Sequence, residues 1–357
     1  MIGDIIVVDG TAHGYNWAPS NWAIPVAAST TAAGWGLHHL LTTDPACFLT
    51  EEEYVRDWPA EDVSDTLFFE TATDVICHHG TPIFDFYKDG HSDTAKGFEI
   101  RERYPNRTIV YGAINPFLGD RWKDDIEYLV EEQKVDGLKV YAARYEEGRT
   151  IAQRLDDPEL GYPFIQRALE LGVKVIATHK GIPFGPVRSE PYGVSDVPEV
   201  LAVFPEMNFE VVHSGWAFVE DTTFLAFFQN CWFNLETCFP LIGRQPRRFA
   251  EFLAALIGSG GADRIIYASG MTAAHPKPVL KAFMDLEMPE DLIEGFGIPP
   301  LSTELKRGIL GENFLRLHGI DSAALRAKIA DDDVAKRKAE GLAEPWSHMR
   351  GRLNAAS

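Results

Sequence analysis

Val173-Lys174-Val175-Ile176-Ala177-Thr178-His179 and Asn208-Phe209-Glu210-Val211-Val212-His213 are two short apolar runs that each end in histidine. Apolar runs of this length, rich in β-branched residues, read as parallel strands buried on both faces. In a (β/α)8 barrel the groups that bind and react are carried at the C-terminal ends of the strands. One histidine in such a place reads as a packed core residue. Two at matching positions of consecutive strands, with more histidines at other strand ends, point to a metal-dependent enzyme.

Working outward, further β-rich runs fall at 4–9, 74–79, 108–114, 137–141, 231–236 and 264–269, which makes eight in all. Helical patterns separate most of them, at 124–133, 162–171, 197–204 and 247–257, and Gly172 supplies a stop signal for the second. Eight strands alternating with helices is the pattern of an α/β fold, a (β/α)8 TIM barrel, expected here over residues 1–320. Residues 17–62 form a long insertion after the first strand and contain Trp17, Trp22, Trp35 and Trp58. Long segments at a barrel mouth serve as lids or substrate walls. Residues 321–357 read as a charged helical tail.

The 357 residues are enough for one large barrel, and 45% hydrophobic with 24% charged residues fits a soluble globular protein. Acidic residues number 53 against 33 basic ones, a net charge of −20, which argues against nucleic acid or an anionic membrane as partner. The basic cluster Arg244-Gln245-Pro246-Arg247-Arg248 reads as a solvated helix start, with a phosphate-bearing ligand as the alternative. Cys47, Cys77, Cys231 and Cys238 form no CxxC pair and read as reduced thiols of a cytoplasmic protein. Residues 1–9 lack the basic and apolar regions of a signal peptide. No apolar run approaches the ~18 residues of a membrane span.

Several local patterns then fall in a telling order: Val8-Asp9 with His13, Gly137-Leu138-Lys139-Val140-Tyr141, His179, His213, and Ile309-Leu310-Gly311-Glu312-Asn313-Phe314-Leu315-Arg316-Leu317. Together they resemble the amidohydrolase superfamily, in its amidohydrolase-related branch. The resemblance implies a barrel with a metal site at the strand ends. Two departures bear on function. The family pattern Asp-x-His-x-His reads here Asp9-Gly10-Thr11-Ala12-His13, so threonine replaces a ligand. After the eighth strand the family places a metal-binding aspartate that takes a proton from water, and this chain has Gly270.

New ligand types, His79, Glu236 and His275, suggest a rebuilt site. The set His13, His79, His179, His213, Glu236 and His275 resembles the TIM-barrel non-heme diiron monooxygenases. That resemblance implies two iron ions (or manganese and iron, with zinc as the alternative), O2 and an external electron donor. The substrate it implies is a small organic acid or coenzyme A thioester, and the assembly a homo- or hetero-oligomer. His78 competes with His79, because alternate side chains of a strand face opposite ways. Lys139 is the candidate catalytic residue; it stands where some binuclear relatives carry a carbamylated lysine, and unmodified it would hold a substrate carboxylate or a metal-bound oxygen species. Asp9, Asn16 and Glu70 are supporting residues, and His38, His39, His91, His318 and His348 read as structural or exposed. Two other readings are a mononuclear zinc hydrolase or decarboxylase, and a non-catalytic barrel that partners an active paralogue.

Overall fold

The computed structural model describes residues 1–214 and 216–356. Eight parallel strands run in sequence order around one sheet: β1 Val8–Ala12, β2 Val75–His79, β3 Thr108–Ala113, β4 Gly137–Tyr141, β5 Val175–His179, β6 Asn208–Val212, β7 Cys231–Asn234 and β8 Ile265–Ile266. Register aligns the ends that matter, with Tyr141 opposite His179 and Val212 opposite both His179 and Asn234. β8 meets β1 through Gly10 N–H to Tyr267 O (3.0 Å), Gly270 N–H to Thr11 O (3.1 Å) and His13 N–H to Met271 O (3.0 Å). The expected barrel is therefore present and nearly closed.

β1 starts and ends later than the sequence reading placed it, so that Gly10 and Thr11 lie inside the strand. Gly10 is needed there: a Cβ would lie 2.5 Å from Ile266 Cγ2 and 3.0 Å from Tyr267 O. Outward-facing Val7, Leu138, Val140, Ile176, Phe209, Val211 and Phe233 pack against the helical shell. The helix Gly161–Glu170 contributes Phe164, Ile165 and Ala168, and Pro246–Gly258 contributes Phe249, Phe252, Leu253 and Leu256, each stripe following helical periodicity.

Val8, Val75, Ile109, Val175 and Ile266 face inward, and Phe314, Leu315 and Leu317 of the helix Asn313–Leu317 close the N-terminal end of the barrel over them. Residues 17–62 hold the helix Ala27–Leu41 and bury Trp17, Tyr54 and Trp58. The charged C-terminal segment packs on its own barrel: Arg107 pairs with Asp332 at 2.6 Å, and Trp346 meets Trp58 with ring centroids 5.5 Å apart. Among the described residues no helix is long and apolar enough to cross a membrane.

Because the seam between β1 and β8 leaves no room for a methyl group at position 10, Gly10→Ala is expected to cost about 2 kcal/mol of stability. The urea unfolding midpoint checks this, and an unchanged midpoint would mean that the seam relaxes freely.

Candidate active site

The C-terminal ends of β1, β5, β6 and β7 bring His13, His179, His213 and Glu236 together, none of them more than 5% exposed. His13 Nε2 lies 3.0 Å from Glu236 Oε1, and His213 Nε2 lies 3.7 Å from Glu236 Oε2. His213 Nε2 is also 3.3 Å from His179 Nδ1. Each ring's other nitrogen meets a backbone carbonyl: His13 Nδ1 at His79 O (2.9 Å), His213 Nδ1 at Glu236 O (3.0 Å) and His179 Nε2 at Ile182 O (2.7 Å). A carbonyl can only accept, so that nitrogen carries a proton. The other ring nitrogens, His13 Nε2, His179 Nδ1 and His213 Nε2, face one another and the Glu236 carboxylate. Among the described residues no group of three or more His, Cys, Asp or Glu side chains is set out as a ready cage for an ion; these four lie in mutual contact.

Electrostatics sharpen the arrangement. Burial pushes the Glu236 carboxyl up, but His213, His13 and Lys139 outweigh it and hold the group well below the usual carboxylate range. Burial, then His213 and Lys139, drive His179 well below the usual histidine value, and burial takes His213 down to about 4. Both imidazoles stay neutral, the form that can donate a lone pair.

Lys139 of β4 is fully buried, and its Nζ has no hydrogen-bond partner. Burial lowers its pKa, opposed by the charges of Glu236 and Glu210. Alternation along β2 separates the two adjacent histidines. His79 faces the interior, stacked on Tyr111 at 4.4 Å with Nε2 4.0 Å from Glu210 Oε1, and neither ring nitrogen is hydrogen-bonded. His78 packs on the other side against Gly97, its Nε2 3.4 Å from Ser92 Oγ. Tyr15 stacks on His13 at 4.6 Å and Tyr141 on His179 at 4.2 Å, so aromatic rings wall the site. Tyr15 continues into His91, which is buried rather than exposed.

His275 is not with the others. Its Nδ1 accepts from Lys277 N–H, capping the helix Pro276–Asp285, so its proton is on Nε2 and is donated to Glu70 Oε2 at 3.0 Å. Both nitrogens are engaged, which leaves no lone pair for an ion, and the six-donor set does not assemble. Thr11 accepts from Asn234 Nδ2 at 2.7 Å and offers the site no imidazole. Asp9, raised to about 7 by burial, takes Ser269 N–H at 2.9 Å and Ser269 O–H at 2.5 Å, and so ties β1 to the segment after β8. Asn16 donates to Asp89.

Sequence reasoning missed the relation between Gly270 and Glu236. A Cβ at Gly270 would lie 3.0 Å from Glu236 Cγ and 3.3 Å from its Oε1. Glu236 thus fills the volume that a side chain at 270 would take, and its carboxylate reaches that corner from the neighbouring strand. It also missed Glu210, whose signal was a lone charge at an inward position of an otherwise apolar strand.

The family model described as Amidohydrolase matches residues 96–320. Among solved structures, the chain is similar to an uncharacterized TIM-barrel protein of Bordetella bronchiseptica, with 16% identity, a TM-score of 0.62, and 88% of this chain and 99% of that one covered. It is similar to 5-carboxyvanillate decarboxylase of Novosphingobium aromaticivorans, solved with bound manganese, at 12% identity and a TM-score of 0.56, covering 89% and 98%. A probable 2-pyrone-4,6-dicarboxylic acid hydrolase of Acinetobacter baumannii is similar at 11% identity and a TM-score of 0.53, covering 88% and 99%. At these identities the likeness is one of fold. No curated protein matches the sequence. The expectation of an iron-dependent monooxygenase is overturned: the matching family model is Amidohydrolase, and the functions named among these structures are decarboxylase and hydrolase.

The buried Glu70 accepts from His275, from Trp346 N–H (2.6 Å) and, at the edge of the interior, from His348 N–H (3.0 Å). Burial raises its carboxyl, but the hydrogen bonds from His275 and His348 outweigh that and hold it below 4.5. A depressed carboxylate contributes stability above its unfolded value and loses it as the pH falls through the folded one. Glu70→Ala is therefore expected to cost ~3 kcal/mol at neutral pH and to flatten the acid side of the stability profile. Urea titrations at several pH values check both effects.

Proposed function

The chain belongs to the amidohydrolase family, and from that premise we propose that it is a metal-dependent lyase that decarboxylates a small organic acid. The observation that carries the proposal is the meeting of three imidazole nitrogens and one carboxylate beside a buried lysine without a hydrogen-bond partner. His13 Nε2, His179 Nδ1, His213 Nε2 and Glu236 are the groups that would hold one divalent ion, manganese or zinc; neutral imidazoles with a carboxylate suit both. These donors already lie within 3.0, 3.3 and 3.7 Å of one another, so holding one ion would ask only for small side-chain shifts. The outer carbonyls fix tautomer and ring direction, as partners of metal-binding histidines do. Such an ion supplies Lewis-acid polarisation of a bound oxygen.

The chain's own residues account for substrate choice. A buried ammonium without a partner is costly, and a substrate carboxylate would pair Lys139. Tyr15 and Tyr141 supply flat apolar faces on either side of the site. Hydrolysis requires a base free to take a proton from water, yet Gly270 offers none, and Glu236 faces His13 and His213. Decarboxylation requires anion binding and one proton: the carbon–carboxylate bond breaks, CO2 leaves, and its electron pair takes a proton at carbon. One observation favours hydrolysis as a second reading, namely that Glu236 Oε2 has no hydrogen-bond partner.

The test is metal analysis of protein grown with manganese and zinc, followed by CO2 detection across a panel of aromatic and unsaturated carboxylic acids. We expect about one ion per chain and CO2 release that is lost on chelation. His213→Ala should lose both metal and turnover, whereas Lys139→Met should retain metal and lose on the order of 100-fold in kcat/KM. Protein that takes up neither metal overturns the proposal. Turnover that yields a new carboxylate without CO2 selects the hydrolase.

A further inference from the structure

TIM-barrel interiors are ordinarily filled by layers of apolar side chains. Here a polar file interrupts them. Glu210 of β6 is fully buried; its Oε1 accepts from Asn234 Nδ2 at 2.5 Å and its Oε2 from Tyr111 Oη at 3.2 Å. Tyr111 of β3 lies across Gly137 of β4, where a Cβ would come within 2.7 Å of the ring. The far side of the Tyr111 hydroxyl lies 2.8 Å from His318 Nε2. His318 follows the helix that closes the N-terminal end of the barrel and is partly exposed. It lines a cleft of about 480 Å³ with Leu171, Lys174, Asn208 and Arg316, at the starts of β5 and β6.

We propose that His318, Tyr111 and Glu210 form a proton path from solvent at the N-terminal end of the barrel to the interior beneath the active site. The mouth supplies the reason for such a route, because every side chain of the cluster there is at most 5% exposed and aromatic rings cover it. At its inner end Glu210 lies 4.0 Å from His79 Nε2. Burial drives His79 well below the usual histidine value, so the file ends on the Glu210 carboxylate itself.

The transfer balances. His318 takes a proton from the cleft at Nδ1 and passes its Nε2 proton to Tyr111 Oη. Tyr111 in the same movement passes its hydroxyl proton to Glu210 Oε2. One proton enters and one arrives, and the file resets when Tyr111 turns its new hydroxyl proton back towards Glu210 and the His318 ring returns its proton from Nδ1 to Nε2. Glu210 is suited to the receiving end: burial raises it to about 7 against the Asn234 hydrogen bond and the Lys139 charge, with Tyr111 and Glu236 as the other groups that face it. Burial takes His318 down to about 4, so it holds the extra proton only in passing.

The path stands independently of the decarboxylase reading, and its test uses no substrate. A stopped-flow pH jump on the full chain, with infrared detection, follows the carboxyl C=O band of Glu210, identified by its loss in Glu210→Gln. In the unmodified protein we expect the band to form within the mixing time. In Tyr111→Phe and His318→Gln we expect it to form on the order of 100-fold more slowly. Free imidazole, which fits the cleft, should restore the rate in His318→Ala. Should Tyr111→Phe not fold, as the amide I band will show, the His318 variants at the barrel edge decide. Equal rates in His318→Gln and the unmodified protein, or no Glu210 band at any pH, overturn the proposal.

Discussion

Everything at the mouth of this barrel depends on how β1 meets β8. Asp9 accepts from the backbone and the hydroxyl of Ser269, and Gly10 lets the two strands approach to distances that exclude a methyl group. That seam carries His13 on one side and Gly270 on the other, and it sets both against Glu236 just beyond β7. Were the strands farther apart, His13 Nε2 could not reach the carboxylate while its Nδ1 stays on His79 O. One close backbone contact thus fixes a donor from the first strand against one from the seventh.

The second constraint is charge. Lys139, Glu210 and Glu236 are all buried within the barrel, and taking such groups out of water costs several kcal/mol each unless they are paired. They share one another's fields rather than forming closed ion pairs: Lys139 opposes the upward push of burial on Glu210 and helps hold Glu236 ionised. The result is a set of groups poised between protonation states. Such poise is a property of reactive interiors more than of structural ones.

Much of this architecture was legible in the sequence. All eight strands could be placed, because parallel strands buried on both faces are written as apolar runs with little else to confuse them. His179 and His213 fell at strand ends that the apolar runs mark, Glu236 followed from the seventh run, and His13 came from the family resemblance, because the first run read as ending at Asp9. Other features depended on contacts between distant residues. His275 reads as a ligand until its two nitrogens are seen to be used by Lys277 and Glu70. Glu236 replaces a side chain at 270 only because two loops converge, which no local pattern records. The chemistry was misjudged for the same reason, since the six donors were counted before it was known which of them meet.

The C-terminal helix Ser347–Ala356 has a consequence of another kind. Just before it, Trp346 packs on Trp58, and within it Arg350 pairs with Glu53 at 2.7 Å and Arg352 with Asp62 at 2.5 Å, all three partners lying in the insertion 17–62. Glu70 fastens the start of the same helix. The insertion and the end of the chain are therefore one mechanical body. Any displacement of the insertion has to carry this helix with it, so residues near 350 share in fixing where Trp58, Glu53 and Asp62 stand.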